Sequence, residues 1–244
     1  MDSFQIESAE PMKLPVLFED NHLLVVNKPA GWVVQGASPS DTSLIAEAAN
    51  YLRDKYHKPG NIFVGVVSRL DRVVTGVLPL ARTSKAAARL SEQFRERRVK
   101  KIYWAIVTGE VPRTSQRLQH WLVRDDKRAK TFCYDRPSDG ASEGILSYRV
   151  RQKWNQFSLL EIELETGRKH QIRSQLEAIG CPIAGDRKYG SPLTWYDCIA
   201  LHCLQLTLEH PTIKAPITWQ APLPESWKKL DMPDILDSSL EVYG

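Results

Sequence analysis

Strand-like segments outnumber helical ones along this chain, and the two kinds do not alternate in a steady β-α-β order. Helical spacing predicts three helices, one after Asp41-Thr42-Ser43, one capped by Ser84 and one over His170–Ile179. A hairpin is expected over Leu118–Tyr134, and a short final strand after Pro211. The other predicted strands are Val16–Glu19, His22–Asn27, Lys101–Thr108, Ile145–Trp154, Phe157–Glu165 and Ile199–Glu209. This pattern indicates an α+β fold with a central mixed, mainly antiparallel sheet flanked by helices and loops.

The length of 244 residues allows one large domain or two small ones, and the composition is that of a globular protein. Residues 1–13 are polar, and we expect them to be loose. Residues 14–230 carry the patterned segments and form the expected folded domain. Residues 231–244 form a tail with acidic residues and no basic ones. The first residues lack the basic and apolar regions of a signal peptide, and no apolar run is long enough to span a membrane.

The four cysteines contain no C-x-x-C pair, which disfavours a zinc ribbon or a thioredoxin motif. Cys198 and Cys203 bracket His202, but all three lie in an apolar stretch, so small buried thiols are the favoured interpretation. We therefore predict no metal site, and a reducing cytoplasmic location fits best.

Basic residues are concentrated in one segment, although the net charge is only +4. Arg95-Glu96-Arg97-Arg98-Val99-Lys100-Lys101 holds five basic residues among seven. Such a run is commonly the solvated C-terminal end of a helix, where cations are favoured. It can also contact phosphates, so both interpretations stay open at this point.

The segment from Val66 to Leu80 places Arg69, Asp71 and Arg72 between two apolar runs. The simpler interpretation is a β-hairpin whose turn carries a solvated ion pair. A carboxylate between apolar strands is costly to bury without a purpose, so a functional interpretation is also open. On this segment alone the hairpin turn is favoured.

A second charged segment, residues 165–173, holds four cations or potential cations among nine residues. It leads into the third predicted helix, whose N-terminus would favour an anion. For this segment taken alone, an amphipathic helix with a charged face is the favoured interpretation. The chain contains no G-x-S-x-G, H-E-x-x-H, Walker or G-x-G-x-x-G motif, so a hydrolase triad, a zincin and a nucleotide-phosphate loop lack support.

Taken together, these segments resemble the RluA-type family of RNA pseudouridine synthases. Ser68-Arg69-Leu70-Asp71-x-x-Val74-Thr75-Gly76 is similar to the family's H-R-L-D-x-x-T-S-G signature. Residues 101–109 resemble its K-x-Y-x-A-x-V-x-G strand, and residues 166–173 resemble its T-G-R-x-H-Q-I-R segment. Further similar residues stand at 26–31, 180–190 and 200–202, so that the resemblance runs from about residue 16 to residue 227.

The resemblance implies an active-site cleft across the sheet and the isomerisation of specific uridines in structured rRNA or tRNA, without cofactor or metal. Asp71 would be the catalytic carboxylate, acting on the ribose or on the base. Tyr103 would stack on the target base and could help to remove the C5 proton. Arg173 would pair with Asp71 and keep it ionised and aimed.

The resemblance also implies an RNA partner, which a protein of this family binds by flipping out one nucleotide. Arg69 would fill the gap that the flipped uridine leaves. The expected RNA contacts are Arg69, Arg72, Arg97, Arg98, Lys100, Lys101, Arg168, Lys169 and His170.

This sequence departs from the family signature at two places. Ser68 stands where the family has His, and Val74-Thr75 stands where it has Thr-Ser. We expect changed local hydrogen bonding there, with the chemistry retained. The alternatives are a catalytically silent RNA-binding protein on the same fold and a plain α+β protein whose charged turns are structural. We expect a monomer.

Overall fold

A computed structural model describes residues 13–36, 38, 41–195 and 198–230. Three α-helices are found there: α1 Leu44–Tyr56, α2 Ser84–Arg95 and α3 Gln171–Ala178. Short 3-10 helices cover Arg187–Tyr189 and Glu225–Leu230. The strands in these residues are β1 Val16–Glu19, β2 Leu23–Lys28, β3 Gly65–Val66, β4 Thr75–Ala81, β5 Lys100–Thr108, β6 Ser115–Asp125, β7 Lys130–Tyr134, β8 Ser142–Trp154, β9 Phe157–Leu164, β10 Leu201–Glu209 and β11 Pro216–Gln220.

All of these strands belong to one sheet, with the order β1-β2-β4-β10-β5-β9-β8-β6-β7. Strand β11 pairs with β10, and β3 pairs with β4. The β4–β10 pair is parallel, whereas every other pair in the described chain is antiparallel. The predicted α+β class with a mixed, mainly antiparallel sheet is therefore confirmed.

The parallel pair β4–β10 requires an unusually close approach of two backbones. Gly76 lies in β4 at φ 117°, a conformation that favours glycine. A Cβ atom added at Gly76 would lie 2.2 Å from the carbonyl oxygen of Cys203 in β10. The Thr-Gly pair of the signature thus places the carboxylate-bearing loop directly beside the centre of the sheet.

Apolar side chains fill both faces of the sheet around β2 and β4. Leu23 and Val25 of β2 join the main core, which also holds most of the buried residues of β5, β9 and β10. Leu24 and Val26 face the other way and pack with the buried face of α1. Strand β2 is buried on both faces for this reason, and its residues form a continuous apolar run instead of an alternating one.

Helix starts differ by one residue from two of the predictions. Ser84 was expected to cap α2, but Thr83 is the cap, because its side chain accepts a hydrogen bond from the N–H of Ala86. Helix α3 was expected to begin at His170. His170 is instead the residue before the helix and has a left-handed backbone, φ 56°.

The hairpin predicted over Leu118–Tyr134 is formed by β6 and β7. No helix in the described part of the chain is long and apolar enough to cross a membrane. The expected acidic tail, residues 231–244, lies outside the described residues, as does nearly all of the expected loose segment 1–13.

Candidate active site

A cleft of about 1290 Å³ crosses the central strands of the sheet. Its floor includes residues of β4, β5 and β10. One wall is the loop 67–74, which connects β3 to β4, and the facing wall is the turn 165–170 with the start of α3. The two charged segments that the sequence singled out therefore face each other across one cavity.

The loop that carries Asp71 is tied to the turn after β2. The Lys28 ammonium is buried and donates to the carbonyl oxygens of Pro29, Trp32 and Arg72, at 2.7, 2.9 and 3.2 Å. The N–H of Gly31 donates to the same Arg72 carbonyl oxygen. Burial lowers the pKa of Lys28 to about 7, while the negative charge of Asp71 acts in the opposite direction. The buried Lys28 amino group thus holds the loop one residue beyond Asp71.

Arg173 joins two carboxylates from different parts of the chain. Its Nη1 lies 3.1 Å from Asp71 Oδ2. Its Nε and Nη2 donate to the two oxygens of Asp186, at 2.7 and 2.9 Å. Burial lowers the pKa of Arg173, but the hydrogen bonds and negative charge of Asp186 and Asp71 outweigh it, so the guanidinium stays charged. Asp186 holds the guanidinium through Nε and Nη2, which leaves Nη1 of Arg173 directed at Asp71.

Tyr103 lies on the cleft floor in β5, opposite Cys203 of β10. Burial, the hydrogen bond between these two side chains and the charge of Asp71 all raise the pKa of the Tyr103 phenol well above its usual range. Burial also raises the pKa of the Cys203 thiol to about 12. Both groups therefore stay protonated at neutral pH, and the free protein holds no phenolate there that could act as a base.

His170 faces the cleft interior, not the solvent around it. Its Nδ1 lies 2.8 Å from the hydroxyl of Tyr189, and its Nε2 lies 3.6 Å from Asp71 Oδ2. Burial lowers the pKa of His170 to about 4, against the opposing charge of Asp71. His170 was predicted as an RNA contact within a cationic segment, but a neutral, inward-facing imidazole carries no charge for a phosphate.

The other predicted RNA contacts divide into two groups. Arg69, Arg72, Arg97, Lys101, Arg168 and Lys169 all line the cleft. Arg98 and Lys100 do not, because each points away and pairs with an acid, Arg98 with Glu96 at 2.8 Å and Lys100 with Glu163 at 3.8 Å. Alternation along β5 explains why Lys101 faces the cleft and Lys100 does not. The basic run thus contributes only some of its cations to the cleft.

Cations outnumber carboxylates in the walls of this cleft. Among the described residues, the carboxylates that line it are Asp71, Glu165 and Asp186. The cations that line it are Arg69, Arg72, Arg95, Arg97, Lys101, Arg168, Lys169, Arg173, Arg187 and Lys188. Such a cavity attracts a polyanion.

The model of the RNA pseudouridylate synthase family matches residues 22–178, which is most of the chain. The chain belongs to this family. A ribosomal large subunit pseudouridine synthase D of Nitrosomonas europaea is 34% identical, over 93% of this chain and 67% of its own length. An RNA pseudouridine synthase of Bacillus subtilis, itself uncharacterised, is also 34% identical, over 91% of this chain and 73% of that protein. The reaction of the family is the isomerisation of uridine in RNA, so the chain is an RNA-modifying isomerase.

The fold of this pseudouridylate synthase is also that of a solved relative. Human RNA pseudouridylate synthase domain containing 4 superposes with a TM-score of 0.74 at 26% sequence identity. The match covers 90% of this chain and 95% of the human one. A second human protein, RNA pseudouridylate synthase domain containing 1, has a TM-score of 0.69 at 23% identity and shows the same fold.

One of the residues at which this synthase departs from the family signature, Thr75, makes a buried hydrogen bond. The Thr75 hydroxyl lies 2.7 Å from Nδ1 of the buried His202. Burial lowers the pKa of His202 to about 4, although its contact with the Ala221 carbonyl oxygen acts in the opposite direction. A neutral His202 and Thr75 therefore form a buried hydrogen bond between β4 and β10. Ser68 lines the cleft beside Arg69.

The cysteine residues of the synthase are thiols. Buried thiols were expected at Cys198 and Cys203, and of these Cys203 is buried, as is Cys181. Cys198 is half-buried. Among the described residues, no group of three or more metal-ligating side chains could hold a metal ion.

Sequence reasoning missed three residues of the site, although each lies in a motif that it had noted. Asp186 and Tyr189 belong to the Gly185-Asp186-x-x-Tyr189-Gly190 segment, and Lys28 belongs to the turn after β2. Their charges or hydroxyls are wholly buried. A buried charge needs a partner. Asp186 and Lys28 stand among apolar residues and glycines, and this could have indicated that both are buried and paired.

Proposed function

We propose that this synthase converts specific uridines in structured RNA to pseudouridine, with Asp71 as the catalytic carboxylate. The observation that carries the proposal is the 3.1 Å contact between Asp71 and the buried Arg173, inside a cationic cleft whose floor holds Tyr103. An ionised carboxylate there can act on C1′ or on the base as charge develops.

The proposed reaction is an isomerisation, so the composition of the nucleotide is unchanged, while the C5 hydrogen is released to water and N1 takes a proton from water. The C1′–N1 bond breaks, the uracil turns within the cleft, and a C1′–C5 bond forms. C5 then loses its proton, and N1 gains one. A site that excludes water keeps the detached uracil from being lost to solvent.

Tyr103 serves as the platform for the detached base in this proposal. Its ring is buried, and its phenol stays protonated because its pKa is raised by burial. We therefore assign it stacking and hydrogen bonding to the base, and not the removal of the C5 proton by a resident phenolate. In this proposal Asp71 takes part in that later step.

The cations at the cleft mouth are the proposed phosphate contacts. Arg69 is exposed on the loop next to Asp71, where it can enter the space that a flipped uridine leaves. Arg168 and Lys169 are exposed on the facing wall. Cations on both walls allow the RNA backbone to be held on either side of the target nucleotide.

The test of the reaction is tritium release from RNA labelled at C5 of uridine, with wild type and Asp71→Asn. Asp71→Asn should fold normally, because Arg173 keeps its two bonds to Asp186. We expect release by the wild type and none by the variant. Equal release by both would remove Asp71 from the mechanism. No release by either would favour the silent RNA-binding alternative.

The RNA contacts can be tested with two neighbouring arginines that are both exposed. Arg97 lines the cleft, whereas Arg98 pairs with Glu96 outside it. Arg97→Gln should weaken RNA binding and reduce the slope of log affinity against log salt by up to about one. Arg98→Gln should leave both unchanged. Equal effects would contradict the assignment of the cleft as the RNA path.

Relatives in Nitrosomonas europaea and Pseudomonas aeruginosa are named ribosomal large subunit pseudouridine synthases. Large-subunit rRNA is therefore the first substrate to test, with a tRNA stem-loop second. We further propose that residues 14–230 act as one catalytic domain and that the protein is a monomer. A cytoplasmic location is proposed because its cysteines are thiols. Pseudouridine maps of cellular RNA with and without the gene would identify the target.

A further inference from the structure

His170 occupies a backbone conformation that non-glycine residues seldom adopt. It precedes α3 at φ 56°, yet its side chain does not cap the helix. Its imidazole instead turns inward between Asp71 and Tyr189. A strained residue at a candidate site invites a functional explanation.

Tyr189 decides which imidazole nitrogen carries the proton. Its hydroxyl oxygen accepts the Thr131 N–H at 2.8 Å, and its ring is fully buried. Its own O–H can therefore be donated to His170 Nδ1, 2.8 Å away. In the opposite arrangement the phenol proton would have to turn from His170 to the Thr131 side chain, and a lone pair of Nε2 would point at the Asp71 carboxylate. We assign the Nε2–H tautomer for this reason.

Cations on the Tyr189 ring strengthen this arrangement. The Arg173 guanidinium carbon and the Lys130 ammonium each lie 4.8 Å from the ring centroid. A cation over an aromatic face draws on its electron density, which makes the hydroxyl a better donor. Arg173 thus contacts both Tyr189 and Asp71.

Both donors near Asp71 approach the same carboxylate oxygen. Arg173 Nη1 lies 3.1 Å from Oδ2, and His170 Nε2 lies 3.6 Å from it. Within the described residues, no hydrogen bond reaches Oδ1. Fixing Oδ2 from two sides would set the rotation of the carboxylate and leave Oδ1 for the nucleotide. A distance of 3.6 Å is too long for a hydrogen bond, but such contacts often shorten when substrate binds.

We propose that His170 is a positioning residue for Asp71, held in the Nε2–H tautomer by Tyr189, and that it donates this proton to Asp71 Oδ2 when a nucleotide fills the cleft. The inference rests on the proposed catalytic role of Asp71. Because burial lowers the pKa of His170, the imidazole supplies a donor without adding a second positive charge beside Asp71.

The kinetic test compares His170→Asn with His170→Gln. Asparagine tolerates the left-handed backbone but is too short to reach Asp71, whereas the glutamine amide can place an N–H near the position of Nε2. We expect His170→Asn to lower kcat for tritium release by about tenfold to a hundredfold at a nearly unchanged KM. His170→Gln should recover most of that loss.

The matched control is His57→Asn. His57 also has a left-handed backbone, φ 48°, but it lies exposed after α1 and away from the cleft. It should retain the wild-type kcat. A His170→Asn variant that raises KM and lowers the salt slope at constant kcat would mark a phosphate contact and overturn the proposal, as would wild-type kcat in that variant.

The second readout is independent of activity. Nitrogen-15 NMR of the labelled histidines should show His170 protonated at Nε2 in the wild type and shifted towards Nδ1–H in Tyr189→Phe. A wild-type Nδ1–H tautomer would overturn the proposal. Tritium release that is equal in wild type and Asp71→Asn would refute the proposed function itself, and that result is distinct from any His170 outcome.

Discussion

Asp186→Asn tests whether the buried partner of Arg173 is needed to keep that guanidinium in the core. Asp186 and the Arg173 side chain are almost inaccessible to solvent, at 1% and 7%. Two charge-assisted bonds, at 2.7 and 2.9 Å, join them. Removing one member of a buried ion pair costs about 3–5 kcal/mol, because the remaining charge is left without compensation.

Two features of the site reduce this cost. The asparagine oxygen can still accept one of the two hydrogen bonds, and Asp71 still faces Nη1. We therefore expect the free energy of unfolding to fall by about 2–4 kcal/mol in Asp186→Asn. For a domain of this size, a 3 kcal/mol loss lowers Tm by about 6–12 °C. Urea unfolding at pH 7 gives the free energy, and a thermal scan checks it.

The control is Glu165→Gln, which breaks a similar pair at the surface. Glu165 accepts from Nε and Nη2 of Arg117 at 2.9 and 3.0 Å, nearly the same geometry, but both side chains are exposed. We expect no measurable change there, since solvent screens the pair. Equal stabilities of the two variants would refute the reasoning that burial makes the Asp186 pair important.

A second variant separates an uncompensated charge from simple loss of packing. Arg173→Met in the Asp186→Asn background removes the guanidinium that lacks its partner. Stability should then recover in part, while Asp71 stays hydrated at its partly exposed position. A further loss of stability in the double variant would show that packing, not charge, dominates.

Other predictions concern the contact between β4 and β10 and the pH dependence of stability. Gly76→Ala should cost at least about 3 kcal/mol in chemical unfolding, because its Cβ would lie 2.2 Å from the Cys203 carbonyl oxygen; Gly140→Ala, at φ 74° in open space, should cost less. Thr75→Val should cost about 1–3 kcal/mol, because it leaves the buried His202 Nδ1 without its 2.7 Å partner, and Thr75→Ser should restore stability. The pKa of His202 is about 4 in the folded state, below the unfolded value of about 6.5. The contribution of His202 to the free energy of unfolding is therefore fully present above pH 6.5. It is lost as the pH drops towards 4, by at most about 1.4 kcal/mol per pH unit. His202→Gln should flatten that slope in unfolding curves measured from pH 7 to 4, and an unchanged slope would contradict the assignment.

Periodicity in the sequence was enough to predict the fold class and nearly all of the strands. In strands β5, β8 and β9 the residues alternate between polar and apolar or form apolar runs of strand length. The hairpin β6–β7 contains a clear turn signal. Helix ends were less certain. Thr83 and Ser84 are both good capping residues, and only the backbone geometry selects Thr83.

The same local signals identified the segments of the candidate site. Asp71, Tyr103 and Arg173 lie more than 100 residues apart at the extremes, yet each stands in a recognisable motif. The sequence by itself also indicated that these motifs belong together, because they occur in the same order as the motifs of the RluA-type family. Local composition could not, however, distinguish a cation in the cleft from a cation outside it.

Only the tertiary structure decided which partner each charged group has. Lys100 and Lys101 are adjacent and chemically identical, but strand alternation and the position of β9 place one against Glu163 and the other in the cleft. His170 looks like part of a basic run, and only its left-handed backbone and the packing of Tyr189 turn it towards Asp71. The charge state and orientation of these side chains are set by burial and by contacts with residues far away in the chain. Sequence neighbours do not determine such contacts.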